Sequence, residues 1–403
     1  MLAHLSTDIR QYLIVTANYW SFTLTDGALR MLVVLYFHTL GYSPLEVALL
    51  FLFYEFFGVV TNLLGGWLGA HIGLNKTMNI GLFLQVLALG MLLVPEDYLT
   101  VIWVMFAQAL SGIAKDLNKM SAKSAIKMLV PNEEQGRLYK WVAILTGSKN
   151  TLKGLGFFLG GALLTFVGFQ YAILIMAICL LIVWLFSLLS LKKDLGKANN
   201  KPKFSEVFSK NRSVNILSAA RTFLFASRDV WFVVALPVYL STQLQWRHWQ
   251  VGMLLALWVI FYGFIQTLAP KITGIKKGNI PDGKSAYLWS LPLLLCSVLL
   301  ALVLYLGFDL AEVLIISLLV YGGLFAINSS VHSYLIVSYA REDGASLDIG
   351  FYYMANALGR LLGTVLSGWL FQMYGLALCL AVSAGMIASC SVISLALPRK
   401  QTE

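Results

Sequence analysis

Charge is scarce in this chain of 403 residues: Asp, Glu, Lys and Arg together make up 12%. A soluble protein of this length carries about 25%, so a soluble globular class is excluded. The net charge of +10 would suit nucleic-acid binding in a soluble chain, but its placement inside apolar stretches argues against that partner. Cysteines number four, Cys179, Cys296, Cys379 and Cys390. They lie far apart with no CxxC or Cys/His ligand spacing, which excludes a disulfide framework and leaves no metal site. There is no GxxxxGK[ST] loop for nucleotide hydrolysis, and Gly154-Leu155-Gly156 is not a dinucleotide fingerprint. No cofactor and no enzymatic chemistry are expected. The opening MLAHLSTDIR lacks a signal-peptide pattern.

What the chain has in abundance is apolar residues: 59% are hydrophobic and the mean hydropathy is +0.78. A bilayer core needs about 20 apolar residues per helix. Apolar runs between turn signals predict twelve spans, at 11–37, 45–70, 76–94, 99–123, 139–167, 171–191, 214–240, 249–270, 286–306, 311–339, 347–373 and 375–397. Turn residues punctuate them, as in Gly41-Tyr42-Ser43-Pro44 and in the run from Gly278 to Gly283. Alternate loops hold almost all the loop Lys and Arg, with Arg247 alone on the other side. The positive-inside rule then places both termini in the cytoplasm.

The longest polar stretch divides the chain into an N-terminal six-helix bundle (1–191), a cytoplasmic linker (192–213) and a C-terminal six-helix bundle (214–403). The halves look related. At an offset of 207, Lys153 matches Arg360, Gly156 matches Gly363, Gly161 matches Gly368 and Gly168 matches Gly375. At an offset of 203, Asp26 matches Asp229 and Tyr36 matches Tyr239. An all-α membrane protein of twelve transmembrane helices in two pseudo-symmetric bundles is the expected fold class.

Nine cations fall within the spans: Arg30, Lys115, Lys119, Lys123, Lys149, Lys153, Arg221, Arg228 and Arg360. Only four acids accompany them, Asp26, Glu55, Asp116 and Asp229. A charge in hydrocarbon costs about 3 kcal/mol or more, so it normally faces a water-filled cavity. A positive surplus there points to a bound or transported anion. Lys123, like Lys127, is expected to snorkel to headgroups. The other eight cations form the candidate binding set, and the four acids are candidates for charge balance or coupling. Asp26 and Arg30 at i, i+4 are expected to pair, and Asp116 is placed to pair with Lys119. Glu55 has no helical cation neighbour and is the stronger protonation candidate. Asn18, Asn62, Gln85, Gln108, Asn150, Gln266, Asn328 and Asn356 read mostly as helix–helix contacts, and His332 as a weak cavity candidate.

The run from Gly65 to Lys76 (GGWLGAHIGLNK) resembles the cytoplasmic loop signature of the major facilitator superfamily. It differs in having Ala70 where that family usually has an acid, and a basic cluster reduced to His71 and Lys76. Longer strings resemble the organoarsenical efflux permeases of the ArsJ family: NYWSFTLTDGALRMLVVL (18–35), LFYEFFGVVTNLLGGWLG (52–69), QALSGIAKDLNKMSAKSAIK (108–127), KWVAILTGSKNTLKGLGFFLGG (140–161) and SRDVWFVVALPVYL (227–240). The resemblance implies a major facilitator fold in the bacterial inner membrane. It also implies export of 1-arseno-3-phosphoglycerate, made in the cytosol by a glyceraldehyde-3-phosphate dehydrogenase, with arsenate resistance as the result. Membrane lipid and this small anion are then the partners. A transporter of another organic phosphate, of the organophosphate:phosphate antiporter type, is the alternative that composition allows.

Overall fold

Apolar runs of this length leave the backbone no partner in lipid, so each must close its hydrogen bonds within a helix. A computed structural model describes residues 7–126, 135–191, 209, 211–274, 280–306, 311–340 and 345–399, and every regular element among them is helical. In chain order these are α1 (Thr7–Thr39), α2 (Pro44–Leu49), α3 (Leu52–Ile72), α4 (Leu74–Met91) and α5 (Val101–Ile126). They continue with α6 (Gln135–Ser190), α7 (Arg212–Phe232), α8 (Ala235–Thr242), α9 (His248–Ile272), α10 (Gly283–Tyr305), α11 (Ala311–Tyr339) and α12 (Ala345–Ser394). A short 3-10 turn, Glu96–Tyr98, joins α4 to α5.

Seven stretches among the described residues are long and apolar enough to cross a membrane by length and composition. Two of them, within α6 and α12, run to 47 residues and hold two spans each. The helices outside that set, α1, α4 and α5, carry charged or amide residues in mid-helix. α2 with α3, and α7 with α8, each form one interrupted span. The sequence-derived count of twelve is therefore recovered. The linker at 192–213 lies almost wholly outside the described residues.

Helix α1 serves as a ruler for the folding-back of α6. Ascending, a side chain on Gly156 would strike the Leu24 carbonyl, and one on Gly160 the Ala28 carbonyl. At the far end Phe169 stacks on Tyr36, with ring centroids 4.2 Å apart. Descending, Ser187 accepts from Asn18 at 2.9 Å and the Ser190 carbonyl from Gln11 at 3.0 Å. The reversal occurs at Gly168, whose φ of +78° suits glycine. Gly375 does the same inside α12, with φ +77°.

The other repeat positions are equivalent in space as well as in sequence. Gly156 lets α6 touch α1, and Gly363 lets α12 touch α7. Gly161 meets His248 and Gly252 of α9 across the boundary between the halves, and Gly368 meets Pro44, Leu45 and Ala48 of α2 across the same boundary. The offset of 203 needs correction. Gly156 contacts Leu24, Gly27 and Ala28, where Gly363 contacts Ala226, Asp229 and Val230, a shift of 202. Asp26 is thus equivalent to Arg228, and Gly27 to Asp229. Matching residue types had displaced the register by one, and backbone contact fixes it.

Candidate functional site

The boundary between the halves holds a cavity whose empty volume, the part open to solvent included, is about 1050 Å³. Its walls come from α1, α5 and α6 on one side and α7, α9, α11 and α12 on the other. The close approach of α6 to α9 sets one edge, through Gly147 against Gly263 and Gly154 against Ala256. The other edge is α12 against α3, where Gly350 meets the Asn62 carbonyl. Small residues at both seams let backbones touch, which is how helices pack without a hydrophobic driving force.

All eight cations proposed from the sequence line this one cavity: Arg30, Lys115, Lys119, Lys149, Lys153, Arg221, Arg228 and Arg360. Asp26, Asp116 and Asp229 line it too, while Glu55 sits fully buried behind Arg30 and Arg360. Eight cations against four carboxylates leave a formal surplus of four positive charges. The ninth cation of the sequence reading, Lys123, has a side chain outside the described residues, as does Lys127.

The partners differ from those that helical spacing suggests. Arg30 does not pair with Asp26; its Nη2 donates to Glu55 Oε1 at 2.7 Å. Asp26 instead accepts from the Tyr54 hydroxyl at 2.7 Å. The i, i+4 contact gave way because α3 brings a carboxylate and a phenol against α1. Glu55, which has no cation on its own helix, also lies 2.9 Å from Arg360 Nη2. The expected Asp116 to Lys119 pair is present at 2.5 Å, and Lys119 also donates to Asn62 Oδ1. Lys115 stands 3.9 Å from Asp116, with its ammonium 3.7 Å above the Tyr54 ring.

Across the cavity, Arg228 is fixed by Asp229 at 2.6 Å. Arg221 is held by neutral groups, donating to Asn356 Oδ1 at 2.9 Å and to the Ser329 carbonyl at 3.2 Å. The Phe225 ring lies 3.9 Å beneath its guanidinium. Lys153 makes no ion pair among the described residues and rests 5.5 Å from the Phe157 ring.

Sequence reasoning missed the aromatic wall. Phe157, Phe225, Phe232, Trp258, Tyr262 and Tyr353 all line the cavity. Trp258 and Phe232 approach to 4.6 Å, Tyr262 stacks on Trp258 at 5.7 Å, and the indole N–H is tied to the Leu318 carbonyl at 2.6 Å. The i, i+4 spacing of Trp258 and Tyr262 was the available signal, but an apolar helix hides which face turns inward. His332 is fully buried outside the cavity lining. Asn18, Asn62, Asn150 and Gln266 make the interhelical bonds expected of them.

On the Tyr36 side of Arg30 the lining turns apolar. A smaller void there is bounded by Met31, Val34, Phe157, Phe232, Val233, Pro237 and Leu255. An anion in the main cavity meets a hydrophobic barrier in that direction and polar walls toward Lys119 and Lys149.

Residues 13–281 match the profile of the Major Facilitator Superfamily. The chain belongs to that superfamily. Among curated proteins no match is found at a significant level. Among solved structures this superfamily member is similar to the crystal structure of the human organic anion transporter MFSD10 (TETRAN), with a TM-score of 0.73 and 15% identity over 97% of this chain and 100% of that one. That similarity concerns the fold, and it agrees with the two six-helix bundles described above. A major facilitator chain of this kind is a membrane transporter.

Proposed function

We propose that this transporter exports a small, multiply charged organic anion by alternating access. The observation that carries this reading is the convergence of eight cations on one cavity between the halves, with only three carboxylates lining it and Glu55 behind. Within that reading, Arg30, Lys115, Lys119, Lys149, Lys153, Arg221, Arg228 and Arg360 form the binding surface. Asp26, Glu55, Asp116 and Asp229 balance charge or couple transport. The printed description of the structural neighbour, an organic anion transporter, agrees with this substrate class.

The specific substrate is 1-arseno-3-phosphoglycerate. Support comes from the long strings that resemble the ArsJ permeases, and from an anion whose two charged ends suit cations on both walls. Arginine forks grip two oxygens of such a group, while lysines act as point charges. The halves, 1–191 and 214–403, would rock about the cavity, joined by the linker. The loop-charge bias favours cytoplasmic termini, and the ArsJ resemblance favours a bacterial inner membrane. The apolar barrier beyond Arg30 then lies toward the outside. An inside-negative potential favours anion exit by about 2.3 kcal/mol per charge per 100 mV.

The test is flux in proteoliposomes containing only this protein, with voltage and pH gradient set separately, alongside arsenate tolerance in sensitive cells co-expressing the dehydrogenase. Flux and tolerance are expected together. Tolerance absent despite confirmed membrane insertion would remove the arsenical. Exchange of 3-phosphoglycerate for phosphate would move the assignment to an organophosphate antiporter.

A further inference from the structure

Five charged residues beside α3, Arg30, Glu55, Lys115, Asp116 and Arg360, form a network that is held by charge but poorly hydrogen-bonded. Glu55 lies between Arg30 of α1 and Arg360 of α12, so one carboxylate bridges the two halves. Only the Arg30 contact is aligned as a hydrogen bond. Arg360 Nη2 is 2.9 Å from Glu55 Oε2, yet among the described residues neither atom makes a hydrogen bond, and Arg360 Nε has no partner either. Lys115 Nζ and Asp116 Oδ2 are buried and likewise without hydrogen bonds among the described residues. These atoms surround Gly58, where an added Cβ would lie 3.0 Å from Asp116 Oδ2 and 3.7 Å from both Arg360 Nη2 and Lys115 Nζ.

The remaining cavity cations with carboxylate or amide partners look different. Arg221 spends Nε and Nη1 on Asn356 and Ser329, Arg228 spends Nε and Nη2 on Asp229, and Lys119 bonds both Asp116 and Asn62. Buried polar atoms left without hydrogen bonds cost about 1–3 kcal/mol each. A group that satisfies them on arrival recovers that cost. Arg360 and Lys115 are therefore the cations that gain most from exchanging their resident partner for a ligand.

We infer that Glu55 and Asp116 act as stand-in anions, holding Arg360 and Lys115 in the empty transporter until an oxyanion of the substrate takes those two cations from them. This rests on the anion-transport reading above and adds how the site selects its ligand. An anion must outcompete a carboxylate already in place, so a single weak charge is a poor ligand and a phosphate-like dianion a good one. The exchange also removes the α3 to α12 bridge, which links anion loading to freedom of the halves to move. On release the carboxylates recapture the cations and the anion is expelled.

Glu55→Gln preserves shape and removes the competitor. In purified protein, binding of inorganic phosphate and of 3-phosphoglycerate is expected to tighten by about tenfold, within the usual range of coupling between two ligands. Flux in proteoliposomes should fall at the same time, because release is no longer assisted. Arg360→Gln should lose binding. Phosphate affinity unchanged or weakened in Glu55→Gln overturns the inference. Should that variant fail to give a monodisperse peak, Asp116→Asn is read in the same way: tighter binding supports the exchange, unchanged or weaker binding overturns it. Wild-type protein that neither binds nor moves any anion would sink the transport reading itself, whereas normal wild-type binding with an indifferent Glu55→Gln sinks only the exchange.

Discussion

Asn150 of α6 donates its amide hydrogen to Gln266 Oε1 of α9 at 2.6 Å, and Gln266 passes its own on toward Ser329 Oγ at 3.4 Å. The first of these bonds crosses between the halves at the edge of the cavity. Gln266→Leu would leave the Asn150 amide without an acceptor, which costs about 1–3 kcal/mol. Thermal unfolding in detergent should show the loss, and Asn150→Leu in the same protein should restore much of it. Strictly additive losses would mean that the two amides are not coupled.

The cations divide into two kinds that mutation can separate. Lys153→Gln removes a charge that has no ion pair among the described residues, so flux should vanish while membrane insertion and unfolding temperature stay near wild type. Arg228→Gln leaves Asp229 buried without its cation. Breaking one partner of a buried pair costs about 3–5 kcal/mol, so yield and unfolding temperature should drop, with partial recovery in Arg228→Gln/Asp229→Asn. Equal stability of the two single variants would count against this division.

Arg221 calls for geometry as well as charge. Arg221→Lys retains the cation but cannot reach both Asn356 and Ser329 as a planar fork does. Half-saturating substrate concentration should rise by about tenfold, near 1.4 kcal/mol, with little change in protein yield. Full activity in the lysine variant would show that charge alone suffices there.

The seams between helices predict a graded set of glycine substitutions. Gly161→Val places bulk against His248 and Gly252 and should abolish monodisperse protein. Gly168→Ala has open space but a positive φ with extended ψ, and should cost about 1–3 kcal/mol. Gly90→Ala, which faces nothing within 4 Å, should be neutral. Size-exclusion profiles of the three would reveal any departure from that order.

Much of this architecture was legible because lipid imposes simple rules. Runs of apolar residues marked the spans, and the glycines at offset 207 marked the repeat. Lys153 and Arg360 were found because a cation at mid-depth has few explanations. The partners were harder to read. Asp26 and Arg30 satisfy helical spacing yet bond to Tyr54 and Glu55 on α3, since helix packing outweighs a pair worth about 0.2–0.5 kcal/mol. Trp258 and Tyr262 carried no polar contrast to show that they face the cavity. The register of α1 against α7 needed backbone contact, because two identical residues one step out of place read as a match.

The glycine reversals have a practical outcome. Where spans five and six, and eleven and twelve, double back on Gly168 and Gly375, the polypeptide presents no loop at those two points. A protease has nothing to clip there, an antibody has little to recognise, and an epitope tag spliced into either hairpin would have to unwind a helix to fit. Probes meant to report on movement from that face belong at the other turns.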